Sequence, residues 1–330
     1  MNSVSIRTTS QATPVPDNFH LYTSADLLID YLKQLSVDYV FGIPGGAIEP
    51  LYNSLARSER RHGPRAIVSR HETSAAFMAD GYHLLTGKLG VCCATTGPGA
   101  TNLITGIACA AANNTPLLAI TAQTALSTFG NSAFQESSCT GINTVGMFEH
   151  CTKFSTLVSH IDQFERKLTA AVIAAFQSPR GPVHLSIPMD VMREHPKVLK
   201  PTYDLSKQIC SPSLFDDQSV EQLCTLLNAA KSTVFVIGEG ASEAIGSILD
   251  AAKHYNALIV TTPHGKGLVS PYHPSFRGVI GFAGHASARE ALLDKNLDLV
   301  ITIGTNLGEW ASGGWDADLL LNNRMVHIDE

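Results

Sequence analysis

Short apolar runs that alternate with helix-patterned stretches limit most strongly what this chain can fold into. Ala66–Ser69, Gly90–Ala94, Leu117–Thr121 and Val183–Ile187 are apolar almost throughout and lack the polar–apolar alternation of a half-exposed strand. Helical stretches such as Thr101–Ala112 and Phe164–Phe176 separate them. Strands buried on both faces and joined by helices imply an α/β fold, a doubly wound parallel sheet covered on each side.

The pattern starts at Thr23, which with Asp26 three residues on predicts a capping-box-like helix start. Leu27, Leu28, Tyr31, Leu32 and Leu35 form that helix's apolar stripe. Val37–Phe41 then predicts a strand ending in Gly42-Ile43-Pro44-Gly45-Gly46, followed by a helix through Leu51 and Leu55. After Pro188 the texture changes. Residues 191–217 carry Pro196, Pro201 and Pro212 with scattered charge and are expected to be a linker. A second α/β unit over 218–330 follows, with strands expected at Thr233–Ile237, Ala257–Thr261, Leu297–Ile303 and Met325–Ile328. Residues 21–190 form the first domain, and 1–20, polar with Pro14 and Pro16, read as a flexible tail. Because the chain stops right after a core strand, the second domain is expected to be cut short.

With 330 residues there is room for two ordinary domains, and 44% hydrophobic content describes a globular protein. A net charge of −6, without a Lys/Arg-rich run, gives no support for nucleic-acid binding. No apolar stretch has the length needed to span a bilayer, so no membrane association is expected. Seven cysteines without metal-type spacing imply free thiols in a reducing compartment, and the cytoplasm is the expected location. Cys92 and Cys93 read as small buried apolar residues. The histidines at 83, 150, 160 and 184 form no spaced metal set, and no metal ligand is assigned.

Parallel α/β sheets bind ligands at the carboxyl ends of their strands. Three loops fall there: Gly42–Gly46, the corner at His71-Glu72, and Thr95-Thr96-Gly97-Pro98-Gly99. The first is neither a P-loop, lacking a following Gly-Lys-Ser/Thr, nor a Gly-x-Gly-x-x-Gly dinucleotide fingerprint. Each loop alone is adequately explained as a structural turn. Glu72 alone is explained by the helix macrodipole, which favours an acid in the first turn.

Taken together, in order, the motifs resemble the thiamine-diphosphate-dependent enzymes of the acetolactate synthase (acetohydroxyacid synthase) large-subunit type. They are Gly42-Ile43-Pro44-Gly45-Gly46-Ala47, the run from Arg70-His71-Glu72 to Asp80-Gly81-Tyr82, and Thr95-Thr96-Gly97-Pro98-Gly99-Ala100-Thr101-Asn102. Ala133-Phe134-Gln135-Glu136, Cys151-Thr152-Lys153 and Gly181–Pro188 continue the series. The resemblance implies a pyrimidine-binding domain followed by a Rossmann-like central domain. It implies a carboligase that decarboxylates pyruvate and condenses the product with a second 2-oxo acid. Another thiamine-dependent decarboxylase, carboligase or oxidase, or a non-catalytic truncated interaction subunit, is the alternative. It places on Glu72 the glutamate that hydrogen-bonds N1′ of the aminopyrimidine, in a largely dry pocket. Gly45, Gly46 and Ala47 would line the site near the reactive carbon, and Thr95, Thr96, Gly97, Pro98 and Gly99 would pack on the pyrimidine. Asn102 and Gln123 would support the pocket, while Phe134, Gln135 and Lys153 would shape substrate access.

The resemblance further implies Mg²⁺, a homodimer or tetramer with shared active sites, and, in the biosynthetic members, FAD on the second domain. Here Gly238-Glu239-Gly240-Ala241 carries an acid, and Gly304–Trp310 lacks the Phe-Asp-Asp-Arg-like run associated with flavin. FAD is therefore a doubtful expectation, and a flavin-free relative fits the residues at least as well. Gly-Asp-Gly, the family's diphosphate and Mg²⁺ motif, does not occur in the sequence. The Mg²⁺ ligands are expected from a third domain, and the chain is expected to be about two-thirds of the enzyme.

Overall fold

A computed structural model describes residues 21–210, 216–320 and 322–329; the tail assigned to 1–20 lies outside them. The chain divides into two compact units, Met1–Ser211 and Pro212–Glu330. Each is built on a wholly parallel sheet, as the buried strand pattern demands.

The first unit has strands β1 (Tyr39–Gly42), β2 (Arg65–Val68), β3 (Gly90–Ala94), β4 (Leu117–Gln123), β5 (Phe154–Leu157) and β6 (Pro182–Pro188), ordered β2-β1-β3-β4-β6-β5. Every residue of β3, β4 and β6 is buried, which is why these strands read as continuous apolar runs. Helices cover both faces. The helix Ser24–Gln34 starts with the capping box at Thr23 and Asp26 and buries Leu27, Leu28, Tyr31 and Leu32 in one core. The helix Glu72–Thr86 lays Ala75, Ala76 and Ala79 into the core on the other face. The helix read as Thr101–Ala112 is two pieces, Pro98–Thr101 and Ile104–Ala112.

The second unit has β7 (Thr233–Ile237), β8 (Leu258–Thr261), β9 (Phe276–Val279), β10 (Leu299–Ile303) and β11 (Met325–Ile328), ordered β11-β10-β7-β8-β9. Two strands escaped the pattern. β5 is half-buried along its length and carries Ser155 and Thr156, and β9 carries Arg277 and a left-handed Gly278 at φ +111°.

Residues expected as linker behave otherwise as far as Ile209. Leu205 is fully buried in the first unit's core. The Leu205 N–H donates to Gln34 Oε1 at 2.9 Å, and the Thr202 N–H donates to Glu165 Oε1 at 2.9 Å. Proline spacing cannot reveal such anchors, because their partners lie far back in the chain. Among the described residues no helix is long and apolar enough to cross a membrane.

Candidate functional site

The parallel register decides which loops meet. Gly42 pairs with Val68 on one side and Cys93 on the other, and Ala94 pairs with Thr121. The segments leaving β2, β1, β3 and β4 therefore emerge side by side at the carboxyl edge of the sheet, carrying Glu72, Gly45, Thr95–Gly99 and Gln123.

Glu72 is the first residue of its helix, and His71 caps that helix by accepting the Thr73 N–H on Nδ1 at 3.2 Å. Its side chain is 9% exposed. Burying a carboxylate is costly without partners, and Asn102 Nδ2 donates to Glu72 Oε2 at 3.0 Å. Asn102 is itself pinned, its carbonyl accepting from Thr73 Oγ1 at 2.6 Å. The other carboxylate oxygen faces Gly99. A Cβ added at Gly99 would lie 3.5 Å from Glu72 Oε1 and 2.8 Å from Thr95 Cγ2. Gly45 also approaches Thr95, where an added Cβ would come within 2.7 Å of Thr95 Cβ. Gly45 thus lets the first glycine loop close on this threonine, and Gly99 lets the threonine's own turn fold back on it. A Cβ on Gly46, by contrast, would meet nothing within 4 Å, and Ala47 is buried.

Two participants were not singled out from the sequence. Tyr52, on the helix after the first glycine loop, has its phenol pushed above the usual range by burial, reinforced by Cys93 and by the charge of Glu72. Cys93 Sγ donates to its oxygen at 3.8 Å. Ser137 is the second. It is buried and its hydroxyl reaches Thr96 Oγ1 at 2.8 Å, Gln123 Nε2 at 3.1 Å and the Gly97 N–H at 3.3 Å. Gln123 is expected to support the pocket, and it lies buried at the tip of β4. Its Oε1 accepts the Thr124 and Ser137 N–H groups, each at 3.1 Å.

The residues assigned to substrate access separate. Phe134 is 85% exposed, and Gln135, left-handed at φ +61°, lies against Gly97, where an added Cβ would stand 3.0 Å from Gln135 Cβ. Lys153 sits at the other end of the sheet. Its N–H donates to the Pro182 carbonyl at the start of β6, and Nζ donates to the carbonyls of Gln177 and Pro179, each at 2.5 Å. β6 runs seven residues, so at ~3.3 Å per residue Lys153 is roughly 20 Å from the carboxyl edge. It borders a separate cavity of about 260 Å³ with His150, Cys151 and Arg180. Within this chain it does not join the Glu72 cluster.

Residues 22–142 match the family model described as "Thiamine pyrophosphate enzyme, N-terminal TPP binding domain". Residues 220–330 match "Thiamine pyrophosphate enzyme, central domain". The chain belongs to the thiamine pyrophosphate enzyme family. Glu72 and the loops around it fall inside the first match, and Lys153 falls between the two. Among curated relatives, the acetolactate synthase isozyme 1 large subunit of Escherichia coli is 32% identical over 93% of this chain and 52% of its own length. The acetolactate synthase of Arthrospira platensis is 33% identical over 93% and 53%, and the large subunit from Corynebacterium glutamicum 33% over 93% and 48%. This thiamine pyrophosphate enzyme chain thus spans about half the length of the relatives it matches.

The first unit's residues suit the pyrimidine half of thiamine diphosphate: a buried carboxylate steadied on one oxygen, with the other facing a glycine that leaves room beside it. The second unit does not suit a flavin diphosphate at its glycine turn. Such a diphosphate takes free backbone N–H groups after the first strand. Here the Gly238 and Gly240 N–H groups already donate to the carbonyls of Ile303 and Gly304 at 2.8 and 3.0 Å. Glu239 adds a negative charge to the same turn.

Proposed function

We propose that this chain contributes the pyrimidine-binding half of an acetolactate-synthase-like carboligase acting on pyruvate and a second 2-oxo acid. Glu72 carries the assignment: it is buried, held by Asn102 on one carboxylate oxygen, and its other oxygen lies beside Gly99. Bound there, thiamine diphosphate would supply the carbon nucleophile and the electron sink that decarboxylation of a 2-oxo acid needs. Glu72 holds or releases a proton at N1′ of the aminopyrimidine. Asn102 fixes the carboxylate's rotation, so that the proton is exchanged at one oxygen. Thr95 and the Gly97–Gly99 turn would hold the ring, Gly45, Gly46 and Ala47 would border the reacting carbon, and Gln123 would support the pocket. Phe134 and Gln135 meet the incoming 2-oxo acid; Lys153 could do so only at a surface formed with another chain.

Among the described residues no group of three or more His, Cys, Asp or Glu side chains could hold a metal ion. Mg²⁺ and the diphosphate would therefore be bound by the kind of sequence that makes up the unmatched half of the relatives. A homodimer or tetramer with shared sites fits that division, and the acetolactate synthase names of the relatives support a place in branched-chain amino acid synthesis. The free cysteines, with Cys139, Cys210 and Cys224 exposed, support a cytoplasmic setting.

The decisive test is Glu72→Gln in the assembled, Mg²⁺-supplemented enzyme, following deuterium exchange at the cofactor's C2 by quenched NMR. Positioned acid–base groups contribute about 10²–10⁴-fold, and exchange should slow by that order. Exchange at the wild-type rate would remove Glu72 from the mechanism, and absence of acetolactate from pyruvate in the wild type would remove the carboligase assignment.

A further inference from the structure

Ser137 stands at a junction where the hydrogen-bond directions can be worked out atom by atom. Gln123 Oε1 accepts two backbone N–H groups, those of Thr124 and Ser137, which fixes the amide's orientation and fills both its lone pairs. Its Nε2 must then donate to Ser137 Oγ, at 3.1 Å. The Gly97 N–H donates to the same oxygen at 3.3 Å. With both lone pairs of Ser137 Oγ taken, its own proton goes to Thr96 Oγ1, at 2.8 Å. Thr96 Oγ1 lies 3.0 Å from Gln123 Oε1, whose lone pairs the two backbone N–H groups fill, and 2.9 Å from the Gln135 carbonyl, which therefore takes its single proton. A one-way relay results: Gln123 to Ser137 to Thr96 to the backbone of Gln135.

The relay ends at an unusual place. Gln135 is a non-glycine residue in the left-handed region, at φ +61°, a conformation that persists only where surroundings enforce it. Its neighbour Phe134 is almost fully exposed. The adjacent Glu136 turns the other way and closes the outer loop, accepting the Gly130 N–H at 3.0 Å and the hydroxyl of Thr140 at 3.2 Å. Phe134 and Gln135 are therefore clamped between an outer fastening at Glu136 and an inner one at Ser137. The inner fastening is also what holds Gly97 in the turn beside Glu72.

We propose that Ser137 is a positioning residue for acceptor selection: through Thr96 it sets where Phe134 and Gln135 stand relative to the Gly97 turn. This rests on the carboligase assignment above. Ser137→Ala removes the acceptor for Gln123 Nε2 and the Gly97 N–H and releases Thr96 from its fixed direction, so Gln135 loses its enforced conformation. The substrate-facing pair then moves while the Glu72–Asn102 contact is untouched.

The test has two arms. In the chain itself, amide hydrogen exchange at Gly97 should quicken about tenfold or more in Ser137→Ala, the size of one lost hydrogen bond, and return towards wild type in Ser137→Thr, which keeps the hydroxyl. In the assembled enzyme, Ser137→Ala should raise KM for the 2-oxo acids more than it lowers kcat. The product ratio from pyruvate competing with 2-oxobutyrate should shift several-fold, with Ser137→Thr again restoring it. Unchanged exchange at Gly97 would show that the relay does not hold the turn and overturn the proposal. An equal loss for both acceptors, or failure of Ser137→Thr to rescue, would reduce Ser137 to a structural residue and overturn it as well. A wild-type enzyme that forms no product would instead strike the carboligase assignment, and the first arm would still report on the relay.

Discussion

The carboxyl edges of the two sheets are built alike and used differently. Both are parallel, and both carry glycine turns where adjacent strands hand over to helices. In the first unit two glycines approach a side chain: Gly45 and Gly99 close on Thr95, beside the Glu72 carboxylate. In the second the glycines bring backbone to backbone. A Cβ on Gly238 would lie 2.1 Å from the Gly304 carbonyl oxygen, and one on Gly304 would lie 2.4 Å from the Ala241 nitrogen. One edge gathers polar side chains, whereas the other uses backbone donors to lock itself. Two parallel sheets of different strand order thus carry a candidate site in one unit and a structural seam in the other, and the difference lies in what Gly45 and Gly99, against Gly238 and Gly304, approach.

That contrast predicts opposite outcomes for similar substitutions. Gly304→Ala meets backbone atoms that cannot swing aside, at a residue with φ +64°. Overpacking and enforced left-handed backbone each cost about 1–3 kcal/mol, so the second unit should lose roughly 3 kcal/mol or more in urea titration. An alanine tolerated there without loss would mean that the seam is not tightly closed.

The sheet interiors differ too. Among the described residues the second unit buries only hydroxyls as polar groups, at Thr233, Thr261, Thr262, Thr302, Thr305 and Ser312, whereas the first also buries ionisable ones, Glu72, Asp80 and, on a strand of the sheet, His184. His184 stacks on Phe148 at 4.0 Å between ring centroids, with Thr121 and Ser155 hydroxyls 2.8 Å from its two nitrogens. Ser155 spends its proton on the Val145 carbonyl, so His184 Nδ1 carries the ring's hydrogen and the neutral tautomer is fixed. Burial holds its pKa at about 3, below the ordinary 6.5. A depressed folded pKa means the unfolded chain binds the proton first, so stability falls as pH drops from 6.5 towards 3. The slope approaches 1.4 kcal/mol per pH unit, roughly 2 kcal/mol by pH 5. Urea midpoints at pH 7 and pH 5 should show this loss in the first unit and a shallower one in His184→Asn. Equal acid sensitivity in the variant would assign the effect to other groups.

The central strands were legible because burial on both faces leaves an apolar run, and β3 and β7 fall where the sequence places them; β11 does so too, although it is only partly buried. β5 and β9 were not, since a half-buried edge strand and one interrupted by glycine carry little of that signal. Glu72, Thr95–Gly99 and Gln123 were legible as motifs. Ser137 and Tyr52 were not, because what they do depends on distant partners: Ser137 lies 41 residues from Thr96, and Tyr52 meets Cys93 across the same interval. Lys153 shows the converse, a motif match whose position in the sheet keeps it from the cluster it was grouped with.

Gly46→Ala is the gentlest probe of the open edge. It adds a methyl where nothing lies within 4 Å, and Gly46 is not in the left-handed region. On folding grounds the change should be neutral, or stabilising by about 0.4–1 kcal/mol through the reduced entropy of the unfolded chain. On functional grounds it should not be neutral. If the space above Gly46 is where the reacting carbon sits, the methyl occupies part of it, and kcat/KM for pyruvate should drop several-fold while the urea midpoint holds or rises. Gly304→Ala should do the reverse, losing stability without altering thiamine diphosphate binding by the first unit. A Gly46→Ala enzyme with unchanged kcat/KM would place the reacting carbon elsewhere and leave the Gly42–Gly46 loop a turn like those of the second unit.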